Sequence, residues 1–205
     1  MAIYLIGMVG IAAFSITGVV GAGKKDMDLF SIILLGVVTA LGGGTIRDIL
    51  MDANPIFWIG DETYLWVSVV AAIMAFFCIR FVKNTYTLLI YADSFGMCLF
   101  TITAAEKALS MGFSYPVAVL MGLTTGIAGG MIRDILTGKM PLLLGREFYA
   151  TPALLGATLF CALLHVAPDH PFNRYYGLTL AFGLRCASIH WGLYYPRFLL
   201  YKGNA

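Results

Sequence analysis

Ten residues of this chain return later in nearly the same order. Leu41-Gly-Gly-Gly-Thr-Ile-Arg-Asp-Ile-Leu50 reappears as Ile127-Ala-Gly-Gly-Met-Ile-Arg-Asp-Ile-Leu136, with Arg47 on Arg133, an offset of 133 − 47 = 86. The same offset lays Gly36 on Gly122, Gly43 and Gly44 on Gly129 and Gly130, Asp48 on Asp134, and Pro55 on Pro141. It also lays Phe14-Ser-Ile-Thr17 on Phe100-Thr-Ile-Thr103, and Asp28 on Ser114, two residue types that cap helix N-termini. The duplicated unit is therefore much longer than the motif, and the fold must accommodate it twice.

The surroundings of the motif are apolar. Hydrophobic residues make up 60% of the 205, charged residues only 12%, and the mean hydropathy is +0.87. A soluble domain carries about 25% charged residues, so the chain is expected to be an all-α protein crossing a lipid bilayer several times. Net charge +2 without a dense Lys/Arg tract speaks against a nucleic-acid partner. The four cysteines, Cys78, Cys98, Cys161 and Cys186, are scattered in apolar runs with no CxxC pair, so neither a metal centre nor another cofactor is expected. His165, His170 and His190 have no matching nucleophile elbow and the glycine run has no P-loop pattern, so the chain does not read as an enzyme. No basic residue precedes Ile3, and the first apolar segment is read as a retained span.

A crossing helix needs roughly 20 apolar residues. Seven segments qualify: Ile3–Gly21, Asp28–Leu50, Tyr64–Phe81, Thr87–Leu109, Ser114–Leu136, Phe148–Val166 and Tyr175–Tyr195. They form one transmembrane domain over 1–205, with a first repeat at about 1–83, a second at about 87–168 and a seventh helix at about 173–197. Three spans per repeat is an odd number, so the second copy must enter the membrane upside down. Inverted repeats of this kind place a path or binding site between the halves. Lys24, Lys25, Arg80, Lys83, Lys139, Arg146, Arg197 and Lys202 fall on one side, which the positive-inside rule makes cytoplasmic. The N-terminus is then outside and the C-terminus inside, in a cell membrane of bacterial inner-membrane type.

Within the motif, Gly42, Gly43 and Gly44 strip a helical turn of side chains, as Gly126, Gly129 and Gly130 do in the second copy, where Ala128 replaces the third glycine. Such glycines either let another backbone approach closely or favour a bend that frees carbonyls. Arg47, Asp48, Arg133 and Asp134 are costly in a span and face protein interior or water. Neighbours on a helix point about 100° apart, so each is expected to pair with another segment or with a freed helix-end group, as a clasp or as pore wall. Ser15, Thr17, Thr39, Thr101, Thr103, Thr124 and Thr125 supply hydroxyl oxygens suited to partly dehydrated monovalent cations, or else bond their own helix backbones. Asp93 breaks the symmetry, because its counterpart is Gly7; it could attract cations or pair with a basic residue such as Arg185 or Lys107. Arg185 and His190 lie outside the repeat and could tie the seventh span to the bundle or serve a subunit contact.

Two three-span repeats, each with Gly-Gly-x-Ile-Arg-Asp on its second helix, a seventh span, and Asp93-x-x-Gly96-x-x-x-Phe100 resemble the TRIC family, the trimeric intracellular cation channels, whose bacterial relatives share a glycine-transporter-type repeat. The resemblance implies a homotrimer with one pore inside each subunit, conducting potassium, sodium and other monovalent cations. It implies that helices 1, 2, 4 and 5 line the pore, with bends at Gly42–Gly44 and Gly129–Gly130. The alternative expectation is a secondary transporter for a small amino acid such as glycine, its carboxylate held by Arg47 or Arg133.

Overall fold

The computed structural model describes residues 2–23 and 27–196. Lys24, Lys25, Arg197 and Lys202, which helped to set the expected orientation, lie outside the described residues. Eight α-helices follow one another: α1 (Ala2–Ala22), α2 (Leu29–Leu50), the short α3 (Phe57–Gly60), α4 (Thr63–Cys78), α5 (Thr85–Ser110), α6 (Tyr115–Leu136), α7 (Ala150–Val166) and α8 (Asn173–Trp191). Among the described residues there is no strand, only a bridge between Glu147 and Tyr194.

Of the seven expected crossings, five meet the length and hydropathy of a span among the described residues: Tyr4–Ala22, Leu29–Leu50, Thr63–Phe81, Thr85–Ser110 and Tyr115–Leu136. Helix α7 is apolar but has 17 residues, and α8 has 19 residues but carries Asn173, Arg174, Arg185 and His190.

The duplicated sequence forms duplicated local structure. Asp28 caps α2, its carboxylate accepting from Ser31 N at 2.8 Å; Ser114 holds the same place before α6 without a side-chain bond, beside Pro116 in the first turn. Both helices also stop alike. Met51 N donates to Arg47 O and Thr137 N to Arg133 O, while Ala53 N and Lys139 N turn back to Asp48 O and Asp134 O at 2.8 Å. Each pair of contacts differs by the 86-residue offset.

Packing between the copies is reciprocal, as a twofold relation requires. Helix α1 lies against α2, α4 and α5, and α2 crosses α6. At the crossing Gly43 faces the Thr125 carbonyl and Gly129 faces the Thr39 carbonyl, each so closely that no side chain could intervene. Gly36 meets Ser15 O, and Gly122 meets Thr101 O. Gly10 lies under the Phe100 ring, and Gly96 under the Phe14 ring. Phe14 and Phe100 are themselves stacked, with centroids 5.4 Å apart and planes 5° from parallel. Helix–helix association in lipid rests on close packing and interhelical polar contacts rather than on a hydrophobic drive, and these paired glycines supply the close packing.

Candidate functional site

Helices α2 and α6 are continuous through their glycines. The helical hydrogen bonding runs unbroken through Gly42–Gly44 and Gly129–Gly130. These glycines allow close approach, to a carbonyl at Gly43 and Gly129, to the Phe57 ring at Gly44, and to the Asp93 carboxylate and Tyr149 hydroxyl at Gly130.

The expectation that each Arg-Asp pair would look past itself needs correction. Arg47 Nε donates to Asp48 Oδ1 at 2.8 Å, and Arg133 Nε to Asp134 Oδ1 at 2.9 Å. The guanidinium reaches round the helix because its three-carbon stem outreaches the angle between neighbouring Cβ atoms. Each aspartate also reaches outward, as expected. The Asp48 carboxylate accepts from Phe57 N at 2.9 Å, and that of Asp134 from Leu142 N at 3.1 Å. Both aspartates thus pin the chain that follows the helix.

The two ends differ at two positions that the repeat would make equal. Beside Arg47 stand Gly7 and Lys107; beside Arg133 stand their counterparts Asp93 and Gly21, since 7 + 86 = 93 and 21 + 86 = 107. At the Arg133 end the guanidinium is fully buried and donates to Asp93 at 2.5 Å, while the Tyr149 hydroxyl donates to the other Asp93 oxygen at 2.7 Å. The Arg133 stem lies over Gly21, where a side chain would collide with it. Asp93 does pair with a basic residue, and that residue is Arg133 rather than Arg185 or Lys107. Arg185 instead donates to Ser94 Oγ at 3.1 Å and to Phe148 O at 3.0 Å, pairs with Glu147 at 3.2 Å, and covers the Tyr149 ring at 5.0 Å. It ties α8 to α5 and to the segment before α7, whereas His190 is exposed.

At the Arg47 end, Lys107 Nζ reaches Asp48 Oδ1 at 2.7 Å. Arg47 stacks on the Phe57 ring at 5.4 Å. A cavity of about 400 Å³ opens there, bounded by Gly7, Arg47, Phe57, Tyr64, Phe100 and Lys107. Glu106 also borders it and is paired with Arg174 at 2.9 Å.

Most hydroxyls are engaged by backbone. Ser15 donates to Ser68 O, Thr17 to Phe14 O, Thr39 to Leu35 O, Thr103 to Leu99 O, Thr124 to Leu120 O and Thr125 to Met121 O. Their lone pairs stay available, but their first commitment is to helices. Thr101 Oγ1 differs: it is buried without a hydrogen-bond partner and faces Gly126. The Arg133 Nη2 atom is likewise buried and unpartnered. Tyr149, Ser94, Glu147, Phe57 and Tyr64 were not singled out from sequence. They fall outside the repeated motif, and only the Gly7–Asp93 mismatch hinted that partners were needed there.

Comparison with known proteins agrees with this geometry. The family model described as "Glycine transporter" matches twice, over residues 4–80 and 90–165. The chain belongs to that family, the TRIC-type membrane proteins. It is 37% identical over 201 residues to a UPF0126 membrane protein of Vibrio cholerae, spanning 98% of this chain and 84% of that one. It is 36% identical over 207 residues to the UPF0126 inner membrane protein YadS of Escherichia coli, spanning 98% of both. Among solved structures, the TRIC trimeric intracellular cation channel orthologue from Rhodobacter sphaeroides superposes with a TM-score of 0.90 at 38% identity, over 94% of this chain and 99% of that one. A structure described under conductance through TRIC cation channels superposes at 0.87 and 31% identity over 100% of both chains. This TRIC-type chain is therefore all-helical, membrane-embedded and close in fold to channels rather than to enzymes.

Proposed function

We propose that the protein is a channel for monovalent cations, potassium among them, assembled as a homotrimer with one path inside each subunit between the repeats. Helices α1, α2, α5 and α6 line the path, α7 and α8 complete seven crossings, and the N-terminus faces outward. The observation that carries the reading is the row of features along the repeat interface of a fold shared with TRIC channels. An open cavity at Arg47 leads to Phe100; the Phe14–Phe100 stack closes the middle; and the Arg133–Asp93–Tyr149 cluster closes the far end. Thr101 Oγ1, beside the stack in sequence and without a partner, offers a hard oxygen to a passing cation.

In this arrangement the path is shut, and opening requires the ring stack to part and Tyr149 to leave Asp93. Released, the Asp93 carboxylate favours cations over anions. Reconstitution of purified protein in planar bilayers tests the reading: potassium-carried single-channel currents are expected. Saturable counterflow of labelled glycine into proteoliposomes without such currents would favour the transporter alternative instead.

A further inference from the structure

The two ends of the bundle are alike in framework and opposite in charge. In the hydrogen-bonded cluster at the Arg47 end, two cations share one carboxylate: Arg47 Nη2 and Lys107 Nζ both lie 2.7 Å from Asp48 Oδ1, giving 2 − 1 = +1. At the Arg133 end one cation meets two carboxylates, Asp93 and Asp134, giving 1 − 2 = −1. Glu106 is neutralised by Arg174 at the first end and so leaves that count unchanged, and Lys139 reaches the Gly21 carbonyl at the rim of the second. A buried charge without a counter-charge is costly. The Arg133 end spreads its surplus over the Tyr149 hydroxyl and the Arg185 guanidinium above it. At the Arg47 end the guanidinium lies over the Phe57 ring, no further charged group joins the cluster among the described residues, and the cavity opens beside it.

The position of that cavity is set by the repeat. Where Asp93 fills the second copy, Gly7 leaves room: the atoms nearest to a Cβ added at Gly7 belong to the Tyr64 ring and hydroxyl, at 3.4 Å or more. Arg47 lines the cavity; its Nε and Nη2 are engaged by Asp48, and Nη1 makes no hydrogen bond among the described residues. The Tyr64 hydroxyl lines the same cavity, 3.4 Å from where a Gly7 Cβ would stand, as the Tyr149 hydroxyl meets Asp93 at the other end. Phe57 takes part of the equivalent space, against Gly44, and leaves the remainder open.

We propose that the cavity beside Gly7 binds a small monocarboxylate, whose carboxylate takes the place held at the other end by the Asp93 side chain. Arg47 Nη1 and the Tyr64 hydroxyl donate to it, and Lys107 supplies the remaining positive charge. A planar carboxylate suits a guanidinium edge better than a spherical anion does. About 400 Å³ admits acetate and somewhat longer acids. Occupancy cancels the surplus charge at this mouth, so it also makes the mouth more hospitable to cations. The binding claim itself does not depend on conduction.

The test uses the full-length protein in detergent, titrated with sodium acetate or sodium chloride at matched ionic strength. Heat of binding and melting temperature are read for the wild type, Gly7→Asp, Gly7→Ala and Lys107→Gln. Acetate is expected to bind saturably and to raise the melting temperature where chloride does not. Gly7→Asp supplies the carboxylate covalently, and it should weaken acetate binding by about tenfold or more, equivalent to about 1.4 kcal/mol. Gly7→Ala, which only meets Tyr64 in ordinary contact, should still bind. Lys107→Gln, which removes the surplus charge, should lose binding even if Gly7→Asp does not fold. Equal responses to acetate and chloride, or wild-type binding by Gly7→Asp or Lys107→Gln, would overturn the proposal. Binding without any channel current would leave it standing and count against the conduction reading alone.

Discussion

Replacing Gly43 by alanine adds one methyl at the crossing of α2 and α6, where the new carbon would sit against the Thr125 carbonyl oxygen and near Gly129 N. The obstacle is backbone on a neighbouring helix, so no side chain can rotate away. Ordinary contact requires roughly 3.5 Å, so the helices must part by about 1 Å at that point. A gap of that size forfeits a quarter to a half of the dispersion energy of the surrounding contacts. Overpacking of this kind costs about 1–3 kcal/mol, against which alanine returns up to about 1 kcal/mol of helix propensity. From the middle of that range a net loss of about 1 kcal/mol is expected. Gly129→Ala meets the Thr39 carbonyl in the same manner and should cost a similar amount. The double variant should cost less than the sum, because both methyls force apart one interface. Gly183 in α8 has nothing within 4 Å of an added Cβ, so Gly183→Ala serves as a control, unchanged or slightly stabilised. Thermal unfolding in detergent, followed by circular dichroism, reads all four. A wild-type melting temperature for Gly43→Ala, or additive losses in the double variant, would refute the close-packing argument.

Other substitutions probe the closed path. Tyr149→Phe removes the hydrogen bond to buried Asp93, worth about 1.5–3 kcal/mol to a charged acceptor, and should raise open probability in single-channel records while leaving unit conductance unchanged. Asp93→Asn breaks the buried pair with Arg133 and should destabilise the fold by about 3–5 kcal/mol, seen as a lower denaturation midpoint. Phe100→Ala removes half of the central stack; it should cost about 3–5 kcal/mol of stability and make the channel leaky in a proteoliposome potassium-flux assay. Gly43→Leu or Gly129→Leu, in protein that still assembles, should sharply reduce conductance in the same assay.

The repeat was legible because both copies kept the residues that make the crossing. Gly43 with Thr125 and Gly129 with Thr39 are one contact written twice, so the offset of 86 exposes it. The partners of the buried charges were harder to read. An arginine stem of three carbons can reach its own neighbour, the next segment or another helix, and sequence spacing does not choose among them. Arg47 and Arg133 chose their neighbours, and Asp93 chose Arg133 over Arg185. The Gly7–Asp93 mismatch did mark the place where the halves diverge. Its complement, Gly21 against Lys107, became visible only when the Arg133 stem was found lying over Gly21. Continuity through Gly42–Gly44 could not be read either, since tandem glycines permit a bend and close packing alike. Helix α8 is held by the close approach of Gly177 and Ala181 to Gly156 of α7 and by Arg185 on Ser94 and Phe148, neither of which hydropathy detects.

The central claim is that the interface between the repeats is a path for cations. The most direct measurement is the reversal potential of current through purified protein in a planar bilayer under a tenfold potassium chloride gradient. Cation selectivity predicts a reversal potential approaching the potassium limit of about 59 mV, and a leak that rises in Phe100→Ala with the same sign. A reversal potential near zero or of chloride sign, or no current from any of these proteins, would contradict the account.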